Sequence, residues 1–97
     1  MFTSDDIRSV TAYLKESAKE ALSQEPSDPE GAEQLIKVAR QFEVIRYNPF
    51  LFQDILDEYD VDYAALMAIP VDDLPMHIND AGVISKAIVK WRLSNNV

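Results

Sequence analysis

The chain has 97 residues, 47% of them apolar, and a formal charge of −8 from 17 acids against 9 bases, which fits a single domain over residues 1–97 with a modest core. Cysteine is absent, so disulfides, thiolate metal sites and a cysteine nucleophile are excluded. The start Met1-Phe2-Thr3-Ser4-Asp5-Asp6 lacks the pattern of a signal peptide, and no apolar run approaches the roughly 18 residues that span a bilayer, so the expected location is cytoplasmic.

In chain order, the first expected helix runs from about Ser4 to Gln24. Thr3 or Ser4 can cap it, and Asp5 and Asp6 suit the positive end of its dipole. Ile7, Val10, Leu14, Ala18 and Leu22 recur at spacings of three and four, giving one apolar stripe. Pro26 ends the pattern. Asp28-Pro29 then caps and starts a second helix, whose expected buried stripe is Ala32, Leu35, Val38, Phe42 and Ile45. Asn48-Pro49 breaks that helix and starts a third, about Pro49 to Tyr59. Its Leu51, Phe52, Ile55, Leu56 and Tyr59 fall on one side, with Asp54, Asp57 and Glu58 on the other.

Asp62 precedes Tyr63-Ala64-Ala65-Leu66-Met67-Ala68-Ile69, read as a short helix, and Val71-Asp72-Asp73-Leu74 between two prolines reads as a compact turn. A last helix is expected from Asn79 or Asp80, burying Val83, Ile84, Ala87, Ile88 and Trp91. Lys86, Lys90 and Arg92 would lie near its negative end. With two glycines and no β-alternation, the expectation is all-α: a small antiparallel four- to five-helix bundle.

The charge is unevenly spread. From Tyr47 to Ser85 there is no lysine or arginine, while the same stretch carries Asp54, Asp57, Glu58, Asp60, Asp62, Asp72, Asp73 and Asp80. Such a field repels nucleic acid and anionic lipid and attracts a basic protein. The competing reading is a solvated face that keeps a small domain soluble.

Little points to catalysis. His77 lies between Asp73 and Asp80, but a lone histidine in an acidic loop is more often a surface residue than a metal or acid–base centre. Asp57-Glu58-Tyr59-Asp60-Val61-Asp62 has oxygen donors like a calcium loop but lacks its turn glycine and its closing glutamate. No phosphate-cradling glycine loop or nucleophile motif occurs. The expectation is no enzyme activity, no cofactor and no metal. A helix-turn-helix reading of the C-terminal half would bring acids toward phosphates, so direct nucleic-acid binding is not expected. Mimicry of DNA by carboxylates offered to a DNA-binding protein fits the same charges.

On the second helix Ile36, Glu43 and Tyr47 project away from Leu35, Val38 and Phe42, and an aliphatic, a carboxylate and an aromatic on one face suit an interface centre. The alternative is that another helix covers Ile36 and Tyr47.

The run Glu33-Gln34-Leu35-Ile36-Lys37-Val38-Ala39-Arg40-Gln41-Phe42-Glu43-Val44-Ile45-Arg46-Tyr47-Asn48-Pro49 resembles the second helix of the nuclease-colicin immunity proteins, and Lys90-Trp91-Arg92 with Asn95 is loosely similar to that family's closing helix. The resemblance, taken over the second and last helices, covers about a third of the chain. The resemblance implies a small acidic four-helix cytoplasmic protein that inhibits a basic toxin nuclease by blocking an exosite and repelling the substrate. It places Leu35, Ile36, Ala39 and Glu43 at positions that choose the cognate toxin, and Asp54 near the acid that opens the third helix. The family's adjacent tyrosines before a proline are missing: the chain has Tyr59 alone and continues into an added segment, Asp60 to Ile78. The anchoring mode therefore does not transfer.

The expected function is an acidic helical inhibitor or immunity-type protein that neutralises a basic partner, a nuclease or other nucleic-acid-binding protein, with no membrane role. Its expected partner-binding residues are Leu35, Ile36, Ala39, Glu43, Tyr47, Asp54, Asp57, Glu58, Asp60 and Asp62. The alternative is a structural or assembly adaptor, or a regulatory interaction domain, of a phage-type or multi-subunit complex.

Overall fold

Thr3 opens the first helix with its side chain. Its hydroxyl accepts from the Asp6 amide at 3.1 Å, and the Asp6 carboxylate accepts from the Thr3 amide at 3.0 Å, so two orphan donors are satisfied reciprocally. The computed structural model describes residues 3–77 and 82–95. Within them the order is α1 (Ser4–Ser23), α2 (Pro29–Val44), α3 (Pro49–Glu58), α4 (Tyr63–Ala68), a 3₁₀ helix (Val71–His77) and α5 (Val83–Asn95). No strand occurs among the described residues, and the fold is the expected all-α bundle. A start of the last helix at Asn79 or Asp80, and a pairing of His77 with Asp80, fall outside the described residues.

The helix starts form as their cap residues dictate. Asp28 Oδ1 accepts from the Gly31 amide at 3.0 Å, with Pro29 at the first helical position. A Cβ on residue 31 would collide with that carboxylate, so glycine permits the close cap. Asn48 Oδ1 accepts from the Phe50 amide at 2.8 Å and Asp62 Oδ1 from the Ala65 amide at 3.0 Å.

Two helix ends close without glycine. At the end of α2 the Arg46 amide donates to Glu43 O and the Tyr47 amide to Phe42 O, with Arg46 at φ 55° and Tyr47 at φ 58°. At the end of α3 the Asp60 amide donates to Asp57 O and the Val61 amide to Leu56 O, with Asp60 at φ 58°. Both are Schellman closures, and in the second Val61 and Leu56 are both buried, as the motif's apolar contact requires.

α1 and α2 form an antiparallel hairpin. Contacts along the pair run from Asp28 N on Ala21 O (2.7 Å), through Lys15 Nζ on Glu43 Oε1 (2.7 Å), to Arg8 over the Tyr47 ring (5.0 Å to its centroid). Ile7, Val10, Leu14 and Ala18 meet Ala32, Leu35, Val38 and Phe42 in the core, and Ile84, Ala87, Ile88 and Trp91 of α5 close it. At the end of α1 the buried stripe passes to Ala21 while Leu22 is 53% exposed, against expectation. The small side chain lets the start of α2 fold back onto the Ala21 carbonyl. Thr11 is also buried, its hydroxyl donating to Ile7 O at 2.7 Å.

α3 and α4 join through aromatics: Phe42 and Phe52 lie 4.8 Å apart, and Phe52 meets Tyr63 edge-on at 5.3 Å. Burial pushes the Tyr63 phenol well above its ordinary range; the Asp6 carboxylate adds to the shift and Arg92 opposes it. The 3₁₀ helix packs on α5 and contributes buried Leu74, and Val89 of α5 is buried as well. Reading this segment as a mere turn hides that second covering layer, which is why Val89 was not expected inside. Arg92 lies in the last turn of α5, as expected, and has a further role. Its Nη1 donates to Leu66 O at 2.9 Å and to Ile69 O at 2.8 Å, satisfying carbonyls at the end of α4. Lys86 lies in the first turn of α5, at the opposite end from the one expected.

Candidate protein-binding surface

α3 is a ten-residue helix with two unlike faces. Phe52, Ile55 and Leu56 face inward, and Tyr59, just past the helix, is half-buried. Phe50 lies about 160° around the helix from Phe52, and Asp54 and Asp57 follow it at i+4 and i+7, within about 40° of its direction. Phe50 is 87% exposed, and Asp54, Asp57 and Glu58 are exposed too. None of the three acids forms an ion pair among the described residues.

Asp57 and Glu58 occupy the last turn of α3, where the helix dipole is negative, and no base accompanies them there. The first turn, where acids would stabilise the helix, has none. Asp60 and Asp62 extend the exposed acidic surface, yet both also serve the backbone, Asp60 in the left-handed closure and Asp62 as the α4 cap. Asp57, Asp60, Val61 and Asp62 line an open depression of about 410 Å³. Among the described residues no group of three or more histidine or carboxylate side chains is arranged to hold a metal ion.

The residues expected on α2 separate. Leu35 and Ala39 are core, 1% and 0% exposed, and cannot meet a partner in this fold. α2 packs against α1, α3 and α5, so its buried arc is broad enough to take in both. Ile36 is half-buried on the shoulder of that arc, packed against the core. Glu43 is exposed but its carboxylate is held by Lys15. Tyr47 does not share their face: α2 ends at Val44, and the left-handed closure turns the half-buried ring under Arg8. A helical projection fails there because the helix has already stopped.

The outward pole of α2 is Val44, about 180° from Leu35 and 81% exposed. Val44 and Phe50, on either side of the α2–α3 turn, went unnoticed in the sequence, although the angle of each from its core stripe signals it. A separate groove of about 330 Å³ between α1 and α5 sets Glu20 and Asp28 near Lys86 and Lys90, a mixed-charge cleft apart from the acidic surface. No helix among the described residues is long and apolar enough to cross a membrane.

No protein-family model, curated protein or solved structure matches the chain.

Proposed function

We propose that this chain is an acidic protein-binding inhibitor of immunity type, which neutralises a basic partner that processes or binds nucleic acid. The observation that carries the reading is the placement of Asp57 and Glu58. Unpaired among the described residues, they sit at the negative end of α3, where carboxylates weaken the helix, in a stretch with no lysine or arginine. Charges kept against local stability are best explained by something outside the chain that they meet. A surface of this sign steers toward a basic protein and competes with the phosphates that such a protein binds.

The likeness of residues 33–49 to the second helix of the immunity proteins supports the same reading. The contact would be made through α3 and its flanks, since Leu35 and Ala39 are inside. The test is an affinity capture from the producing cell, washed at low and then high salt. Captured proteins are identified and assayed for nucleic-acid cleavage or binding with and without added chain. A basic protein that elutes with salt, and whose activity falls on adding the chain but less on adding Asp57→Asn/Glu58→Gln, is the expected result. A non-basic partner, or one whose activity ignores the chain, overturns the proposal.

A further inference from the structure

We infer that Phe50 is the anchor of the docking surface, filling an apolar pocket on a basic protein whose lysines or arginines meet Asp54 and Asp57. This rests on the proposed acidic inhibitor and names the contact through which it would hold its partner. Among the described residues Phe50 is the most exposed of the large apolar side chains, at 87%, and it points almost directly away from the core face of α3. A short helix with one aromatic outside gains nothing for its own fold from that side chain.

Its presentation is fixed. Pro49 occupies the first helical position, Asn48 Oδ1 holds the Phe50 amide at 2.8 Å, and the closure before it is locked by the Arg46 and Tyr47 amide bonds to α2. An aromatic on a rigid backbone loses little freedom on docking. Leu51 and Val44, both exposed, widen the apolar centre at the α2–α3 turn.

Charge complementarity selects the occupant. One and two turns after Phe50, on the same side of the helix, come Asp54 and Asp57. The nearest arginine before it is Arg46, inside the α2–α3 turn, and no lysine or arginine follows until Lys86. A second copy of this chain would bring like charges together around Phe50, whereas a basic surface with an apolar pocket matches both features.

The probes are two synthetic peptides of equal length and charge, one combining lysine with leucine and one combining lysine with serine, titrated into the ¹⁵N-labelled full chain. The lysine–leucine peptide is expected to shift amides around Val44, Phe50, Leu51, Asp54 and Asp57, and to bind more tightly than the lysine–serine peptide. Phe50→Ala and Phe50→Ser should weaken it at least about tenfold, an interface-anchor effect, while Phe50→Tyr stays within about threefold. Phe50 is exposed, so thermal unfolding of these variants should match the parent and separate lost binding from lost folding.

If both peptides bind alike and ignore Phe50, the anchor is wrong while the acidic-inhibitor reading stands. If neither binds at low salt, both fall. Salt-promoted self-association that Phe50→Ala abolishes would make a second copy the occupant and overturn the assignment.

Discussion

The Trp91 indole donates to the Ser9 hydroxyl at 3.0 Å, joining the C-terminal half of α5 to the N-terminal half of α1 across a sequence separation of 82 residues. At the other end of α5, Val83 and Lys86 share a groove with Glu20 and Ala21 of α1. The two helices therefore run antiparallel, and α5 closes the core that the α1–α2 hairpin leaves open. Trp91 is buried, so its emission should be blue-shifted in the native state and move red on unfolding. Trp91→Ala should cost about 3–5 kcal/mol in urea denaturation. Ser9→Ala should be nearly neutral, because alanine's better helix propensity offsets the lost bond. A Ser9→Ala/Trp91→Phe cycle should still show a coupling of about 0.5–1.5 kcal/mol. Zero coupling would mean that water serves the indole equally well.

The helix starts were legible because they are local. Asp28-Pro29, Asn48-Pro49 and Asp62 announce themselves in a few residues, and each caps as expected. Most of the buried stripes were legible from their period, but Leu22 and Leu51, expected on them, are exposed at their edges. The helix ends were not, because the usual signal for a left-handed closure is glycine, and here Arg46 and Asp60 take that place. Missing the first closure is what carried Tyr47 onto the wrong face. Arg92 was equally hidden, since a guanidinium that serves a helix 23 to 26 residues earlier leaves no mark in sequence spacing. Of the candidate surface, the acids of α3 were visible and its apolar centre was not. Phe50 lies off the expected core stripe of α3, and that angle alone marks it.

Asp60 at φ 58° lies where a Cβ crowds the preceding backbone and glycine does not. Asp60→Gly should therefore raise stability by about 0.5–1 kcal/mol, by denaturant midpoint at unchanged slope. Asp60→Asn separates strain from charge, because asparagine keeps the side-chain shape without the carboxylate. If Asn matches Gly, the gain comes from relieved repulsion and not from the backbone.

Arg92 holds the end of α4 through two carbonyls, at 2.9 and 2.8 Å. Replacing it with Met keeps the stem and leaves partly buried oxygens unpaired, which should cost about 1.5–3 kcal/mol. Amides of residues 63–69 should then exchange faster than those of α1 and α2. Arg92→Lys should recover only part, since one ammonium cannot reproduce the planar donor geometry. Uniform acceleration across the chain would assign Arg92 to global stability instead of α4 alone.

Tyr63 gives the fold an alkaline limit. Its phenol ionises near its ordinary 10.0 in the unfolded chain and higher in the folded one, because burial and Asp6 oppose the phenolate. Above that ordinary value the unfolded chain therefore loses this proton first. The stability tied to Tyr63 is complete below about pH 10 and is lost as pH climbs toward the raised folded value. Melts from pH 8 to 11 should show a decline above pH 10 that Tyr63→Phe removes. An identical decline in that variant would place the alkaline sensitivity elsewhere.

The acids of α3 set folding and binding against each other in a measurable way. Asp57 and Glu58 lie at the negative end of the helix dipole, unpaired among the described residues and followed closely by Asp60 and Asp62. Asp57→Asn and Glu58→Gln keep the shapes and remove the repulsion. Each should stabilise the fold by about 0.3–1 kcal/mol at low ionic strength, with the gain shrinking as salt is added. The parent should itself become more stable with salt over the same range. Toward a basic partner the same variants should behave oppositely, associating more slowly while dissociating at a similar rate, because rim charges act mainly on encounter. If the neutral variants are less stable than the parent, the carboxylates support α3 itself. Their placement would then need no partner, and the observation that carries the proposed function would be gone.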